Sequence, residues 1–268
     1  MPAAELIRLR QQINQLIMQF QEPAAFCRLL RDLLELYAHH SYRPGQAVQP
    51  QPLLPAYRVP PLVMRQLELE LGKTCQEQPQ QALAVVAVLW KETYLEPRLL
   101  ATSLLGSIPI QSAQQGVLDI LRAWAIGSEN LRLIGALMAN GTLQLRRHAP
   151  ERLLELIDVW LSEANPAQQA VGIQAILAIV NDRAFENLPA IFRLLGPPLH
   201  NVNPRLQADL QAALSALIKR SPTETAYFLR QVLSLSSGTG TARLIRRLLP
   251  EFDAPQQASL RVALGTRS

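Results

Sequence analysis

The chain has 268 residues, 49% hydrophobic, 18% charged and 5% aromatic, with 26 basic and 21 acidic side chains for a net charge of +5. That apolar share can bury about three quarters of the unfolded surface, which excludes disorder of the whole chain. Two cysteines exclude a disulfide scaffold, and at about 150 residues per domain the length fits one elongated domain or two small ones.

The first residues carry Glu5, Arg8 and Arg10 without a continuous apolar run, so they do not read as a secretory signal. Leu6, Leu9, Ile13, Leu16, Ile17 and Phe20 recur at helical spacing and open an N-terminal helical pair over residues 1–40. Cys27 and Cys75 fall in apolar helical patterns and are expected as small core residues. Unpaired cysteines fit a reducing compartment, and the expected location is the cytoplasm. Residues 41–61 hold Pro44, Gly45, Pro50, Pro52, Pro55, Pro60 and Pro61 with three glutamines between them. This composition predicts an extended connection prone to polyproline II. It is either a plain linker or a loop lying across one face that brings Tyr42, Arg43, Tyr57 or Arg58 to a site.

Residues 62–268 continue as helices. Leu83, Val86, Leu89 and Trp90 follow the 3.6-residue period, as do Leu153, Leu156, Ile157, Trp160 and Leu161, and Leu206, Leu210, Ala213, Leu214 and Leu217. Breaks are expected near Glu22-Pro23, Gln78-Pro79, Glu96-Pro97, Ile108-Pro109, Asn140-Gly141, Ala149-Pro150, Asn165-Pro166, Gly196-Pro197-Pro198, Asn203-Pro204, Ser221-Pro222, Ser236-Ser237-Gly238 and Ala254-Pro255. Proline suits the first turn of a helix, and Asn165, Asn203 and Ser221 stand where an N-cap belongs. The breaks leave helices of about 12–18 residues, and a pair of them takes about 35–40. That period predicts an all-α fold: an α-solenoid of about six HEAT-like helical repeats, a right-handed superhelix running as one domain over 62–268. No alternating strand pattern occurs. The longest uncharged apolar stretch, 164–181, is broken by Asn165, Pro166, Gln168, Gln169 and Gln174, so no membrane span is expected.

Most enzyme signatures fail. Gly72-Lys73-Thr74 imitates the end of a phosphate-binding loop, but Leu67 stands where its first glycine belongs. Gly238-Thr239-Gly240 lacks a third glycine, since position 243 is Arg243. His39, His40, His148 and His200 have no metal-ligand spacing. Charge is unevenly spread. Residues 201–268 hold nine basic and four acidic side chains, whereas residues 1–200 hold 17 of each. A basic end on a neutral body points to phosphates or an acidic partner, unless the arginines reflect compositional bias alone. Arg243, Arg246 and Arg247 sit at adjacent helical positions behind Thr239 and Gly240, a pattern suited to phosphate. Arg205, Lys219 and Arg220 extend the candidate nucleic-acid-binding set.

The stretch Leu89-Trp90-Lys91-Glu92-Thr93-Tyr94-Leu95-Glu96-Pro97-Arg98-Leu99-Leu100-Ala101 resembles a repeat junction of the AlkD-like DNA alkylation repair family, the HEAT-like-repeat DNA glycosylases. Tyr57-Arg58-Val59-Pro60-Pro61 resembles the segment that enters the array in that family, and 124–137, 150–176 and 203–229 follow its order of repeats. The resemblance covers roughly residues 55–264. It implies a C-shaped solenoid with a basic concave face for double-stranded DNA, excision of cationic alkylpurines, and no metal or cofactor. It also implies a cleft carboxylate that stabilises the cationic sugar, and tryptophans against the lesion.

Carried over, the resemblance places the catalytic carboxylate at Glu129 and the first tryptophan at Trp124. The second tryptophan position is Ala125. The family's further cleft arginines fall near Ala170 and Ser215, and a further tryptophan near Ala212, so most of that lining is unmatched and base excision stays open. Glu129 also reads as a first-turn acid behind an N-capping Ser128, and Trp124 as either core or groove. Two functions lead: a DNA-binding relative of the glycosylases, or a non-catalytic scaffold holding a protein or peptide in its concave groove; RNA binding is a third, for which the sequence shows no repeated base-reading code. A monomer is expected.

Overall fold

A computed structural model describes residues 3–38, 54–127, 130–235 and 238–265. Every regular element among them is helical. The chain forms two compact units, Met1–His148 and Ala149–Ser268.

In the first unit α1 (Ala3–Met18) and α2 (Pro23–Leu36) are joined by a turn whose Phe20 meets Phe26 edge to face at 5.7 Å. After the connection come α3 (Pro61–Glu77), α4 (Pro79–Trp90), α5 (Leu95–Leu105) and α6 (Ile110–Gly127), which is kinked at Ala113. The short α7 (Leu131–Ala136) and α8 (Leu143–His148) follow. Helices α1, α3, α5 and α7 neighbour one another in turn, as do α2, α4, α6 and α8, and α1 packs on α2, α3 on α4 and α4 on α5 across the two rows. This is a two-layer solenoid. The inward stripes are the ones the period selects, such as Val63, Leu67, Leu71 and Cys75 on α3.

The break expected at Asn140-Gly141 is instead a π-helical turn, Leu137–Gly141, linking α7 and α8. Such a turn leaves carbonyls without regular partners. The buried Arg146 supplies them, its guanidinium donating to the carbonyls of Met138 and Ala139, each at 2.9 Å. The turn also presses on α5: a Cβ at Gly106 would overlap the Asn140 carbonyl, so only glycine fits there.

The second unit contains α9 (Pro150–Ser162), α10 (Pro166–Asn181), α11 (Leu188–His200), α12 (Gln207–Arg220), α13 (Pro222–Leu235), α14 (Thr239–Leu248) and α15 (Ala254–Gly265). Helices α9, α11, α13 and α15 form one row and α10, α12 and α14 the other. The caps read from sequence at Asn165 and Asn203 are made: their side-chain oxygens accept the amides of Ala167 and Arg205 at 2.9 and 3.0 Å. Asn187 caps α11 in the same way through Ala190.

The expected break at Gly196-Pro197-Pro198 does not occur, and α11 runs through both prolines to His200. Each proline lacks the N–H that would bond one turn back. Buried Leu194, Leu195 and Leu199 pin the helix regardless, and Thr241 donates its hydroxyl to the Leu199 carbonyl at 2.7 Å. Packing overrides the local preference.

Candidate nucleic-acid interface

Helix α14 has two chemically opposite sides. At about 100° per residue, Thr241, Leu244, Ile245 and Leu248 share the buried side, and Arg243, Arg246 and Arg247 share the exposed one. None of these three guanidinium groups has a hydrogen-bond or ion-pair partner among the described residues. Arg205, on the short 3-10 turn Pro204–Leu206, and Lys219, near the end of α12, are likewise exposed and unpartnered among the described residues.

Arg220 is different. Its half-buried guanidinium reaches back to the end of α10 and the loop beyond. It donates to the carbonyls of Val180 at 2.8 Å, Asp182 at 2.9 Å and Ile179 at 3.4 Å, and also to that of Phe185. A cation at a helix C-terminus satisfies orphan carbonyls and complements the helix dipole. Its donors are spent on the fold. The net charge of the segment offered no signal of this, because the acceptors lie 35 to 41 residues away.

The first unit holds an aromatic and arginine cluster at the junction of α4 and α5. Trp90 and Trp124 stack face to face, with centroids 4.2 Å apart and planes 3° from parallel. Trp124 is 7% exposed and belongs to the core, while Trp90 is half-buried. The Arg98 guanidinium lies 6.0 Å from the Trp90 ring centre, and its Nε donates to the Glu92 carbonyl. Glu92 in turn accepts a fork from Arg31 at 2.9 and 3.1 Å and a 3.0 Å contact from the Cys27 thiol. Burial, with Glu92 beside it, pushes the Cys27 thiol up to about 12.

The segment entering α3 docks on this junction. The buried Glu96 carboxylate accepts the amides of Tyr57 at 3.0 Å and Arg58 at 2.7 Å. Leu95 donates to the Pro55 carbonyl, and the Tyr57 ring stacks on Tyr94 at 4.1 Å. Of the four residues named for a site on this connection, Tyr57 and Arg58 are described. Tyr42 and Arg43 lie outside the described residues, as do Ser128 and the proposed carboxylate Glu129. The pairing of Glu96 with Tyr57 and Arg58 is not legible in the sequence, where its one signal is the Glu96-Pro97-Arg98 of the junction stretch.

A cavity of about 1080 Å³ opens along α11, α13 and α15. Phe192, Tyr227, Phe228, Val232 and Leu235 are among its apolar lining residues, and Arg193 and Arg230 line it too. It lies along the row of helices opposite to that of α14.

No helix of the described residues is long and apolar enough to cross a membrane. Comparison with curated proteins and with solved structures returned no match. Among protein families, the model described as DNA alkylation repair enzyme matches residues 55–248. That span begins at the docked Tyr57–Arg58 segment, takes in the tryptophan stack, and ends with the arginine face of α14. By a match over most of its length, the chain belongs to the DNA alkylation repair enzyme family.

Proposed function

We propose that this protein binds duplex DNA through its phosphates, as a DNA-repair protein, with α14 as the principal contact of the second unit. The observation that carries this is the row of Arg243, Arg246 and Arg247, exposed on one side of one helix and unpartnered among the described residues. Guanidinium groups fit phosphate oxygens in a fork, and such contacts position a protein on DNA without reading sequence. Arg205 and Lys219 add two further cations, while Arg220 does not take part.

Excision of a cationic alkylpurine is assigned within this reading to Glu129. The damaged base is already a good leaving group, so a carboxylate that stabilises the developing positive sugar supplies the main need. Trp124 backs Trp90, whose half-buried ring is the member of the pair nearer to solvent.

The test is duplex binding over a series of salt concentrations, with base release from an N-alkylpurine scored in the same samples. Replacing all three α14 arginines by glutamine should flatten the salt dependence by about 0.9 for each phosphate no longer neutralised, or about 2.7 in all. Release that vanishes in Glu129→Gln supports excision, and binding without release removes it. Absence of binding at low salt refutes the whole reading. One observation then favours a protein partner instead: the apolar cavity beside α13, where Tyr227 and Leu235 are 56% and 75% exposed.

A further inference from the structure

Arg58 is the only non-glycine residue among those described whose backbone enters the left-handed region, with φ at 58°. An L-residue resists this conformation because its Cβ crowds the following carbonyl, whereas glycine accepts it freely. The conformation is imposed from outside. Glu96 accepts the amides of both Tyr57 and Arg58, Leu95 holds the Pro55 carbonyl at 2.9 Å, Tyr57 stacks on Tyr94, and Val59 is buried.

None of these anchors uses the side chain of Arg58. That side chain is exposed, without a hydrogen-bond or ion-pair partner among the described residues. The backbone here would be better served by glycine, yet an arginine occupies it. A strained residue that its surroundings hold in place, and whose side chain the fold does not need, points to function. The group presented is a planar, permanently charged fork that fits a phosphodiester oxygen pair.

We propose that Arg58 is a DNA phosphate contact of the first unit, aimed by the buried Glu96 carboxylate as a positioning residue. This rests on the reading of the protein as a DNA binder. It adds a contact that the charge count of the C-terminal quarter does not contain.

The experiment compares the unaltered protein, Arg58→Gly, Arg58→Lys and the α14 triple glutamine variant. Each is measured for duplex affinity against salt and for its urea midpoint. Arg58→Gly should raise the urea midpoint, because glycine relieves the backbone, while flattening the log–log salt slope by about 0.9. Arg58→Lys keeps a point charge and should keep the slope. Higher stability with an unchanged slope overturns the proposal and leaves Arg58 a strained surface residue. If the triple variant flattens the slope and Arg58→Gly does not, the α14 reading stands alone. If the unaltered protein fails to bind, both fall.

Discussion

Arg220→Met removes four carbonyl contacts at once and should destabilise the second unit by about 2–3 kcal/mol. Two of the four carbonyls keep a backbone partner: Ile179 still accepts from Asp182, and Asp182 from Phe185. The carbonyls of Val180 and Phe185 lose the only hydrogen bonds found for them among the described residues outside helical ladders. A buried acceptor left unsatisfied costs about 1–3 kcal/mol, and here the half-buried setting lets water recover part, so about 1–1.5 kcal/mol each is expected. Methionine retains the apolar stem, which separates the effect of the hydrogen bonds from that of packing. Arg220→Lys keeps the charge but not the fork, and should lose about half as much. Urea unfolding followed by circular dichroism gives the midpoint. Amide exchange over the loop between α10 and α11 localises the effect. An unchanged midpoint would refute the argument, and so would a flattened salt slope at full stability, since that is the signature of a DNA contact.

Burial raises the Cys27 and Cys75 thiols from 9.0 to about 12. Thiol reagents should therefore titrate neither cysteine in the native protein at pH 8 and both in urea. The folded thiols hold their protons while unfolded ones ionise near 9, so stability should fall as pH rises from about 9 towards 12; a midpoint that climbs over this window contradicts the burial. Gly106→Ala should cost about 1–3 kcal/mol by forcing the π-helical turn away from α5, measured by thermal unfolding. Glu96→Gln turns an amide donor towards the amides of Tyr57 and Arg58, and should cost about 1–3 kcal/mol. Limited proteolysis near residue 57 should speed up in that variant, and equal cleavage rates would count against the latch. The α14 glutamine variants should stay within about 0.5 kcal/mol of the parent, because those side chains are exposed and make no hydrogen bond or ion pair among the described residues.

Features encoded by local spacing could be read from the sequence. The stripes of α9 and α12, the caps at Asn165 and Asn203, and the arginine side of α14 all follow from residues within one or two turns of each other. Features set by distant partners could not. Gly196-Pro197-Pro198 carries every local mark of a helix end, but its fate depends on leucines packed inside the second unit. Asn140-Gly141 looks like a turn, and the distant group packed against it is Gly106, 34 positions before Asn140. The Tyr57–Arg58 segment stands out by its residue types, but its clamp is Glu96, 38 positions past Arg58. Spacing alone leaves Trp124 between core and groove, and its stacking on Trp90, 34 positions earlier in the chain, is what decides it.

The same distinction governs how much charge the protein can offer to DNA. Formal charge counts side chains, whereas counterion release counts the phosphates that side chains can reach. Of the basic residues after position 200, Arg220 is turned onto carbonyls, Arg230 onto Ser259 and the Tyr227 ring, and Arg261 onto Gln257. They keep their charge and their share of the long-range field, but Arg220 spends its fork on protein and Arg230 and Arg261 each spend one donor. Arg205, Lys219, Arg243, Arg246 and Arg247 remain without partners among the described residues. Five phosphates at about 0.9 each bound the salt slope from these cations at about 4.5. A steeper measured slope requires cations elsewhere, and Arg58, held out by a backbone that its own side chain does nothing to stabilise, is the first place to look.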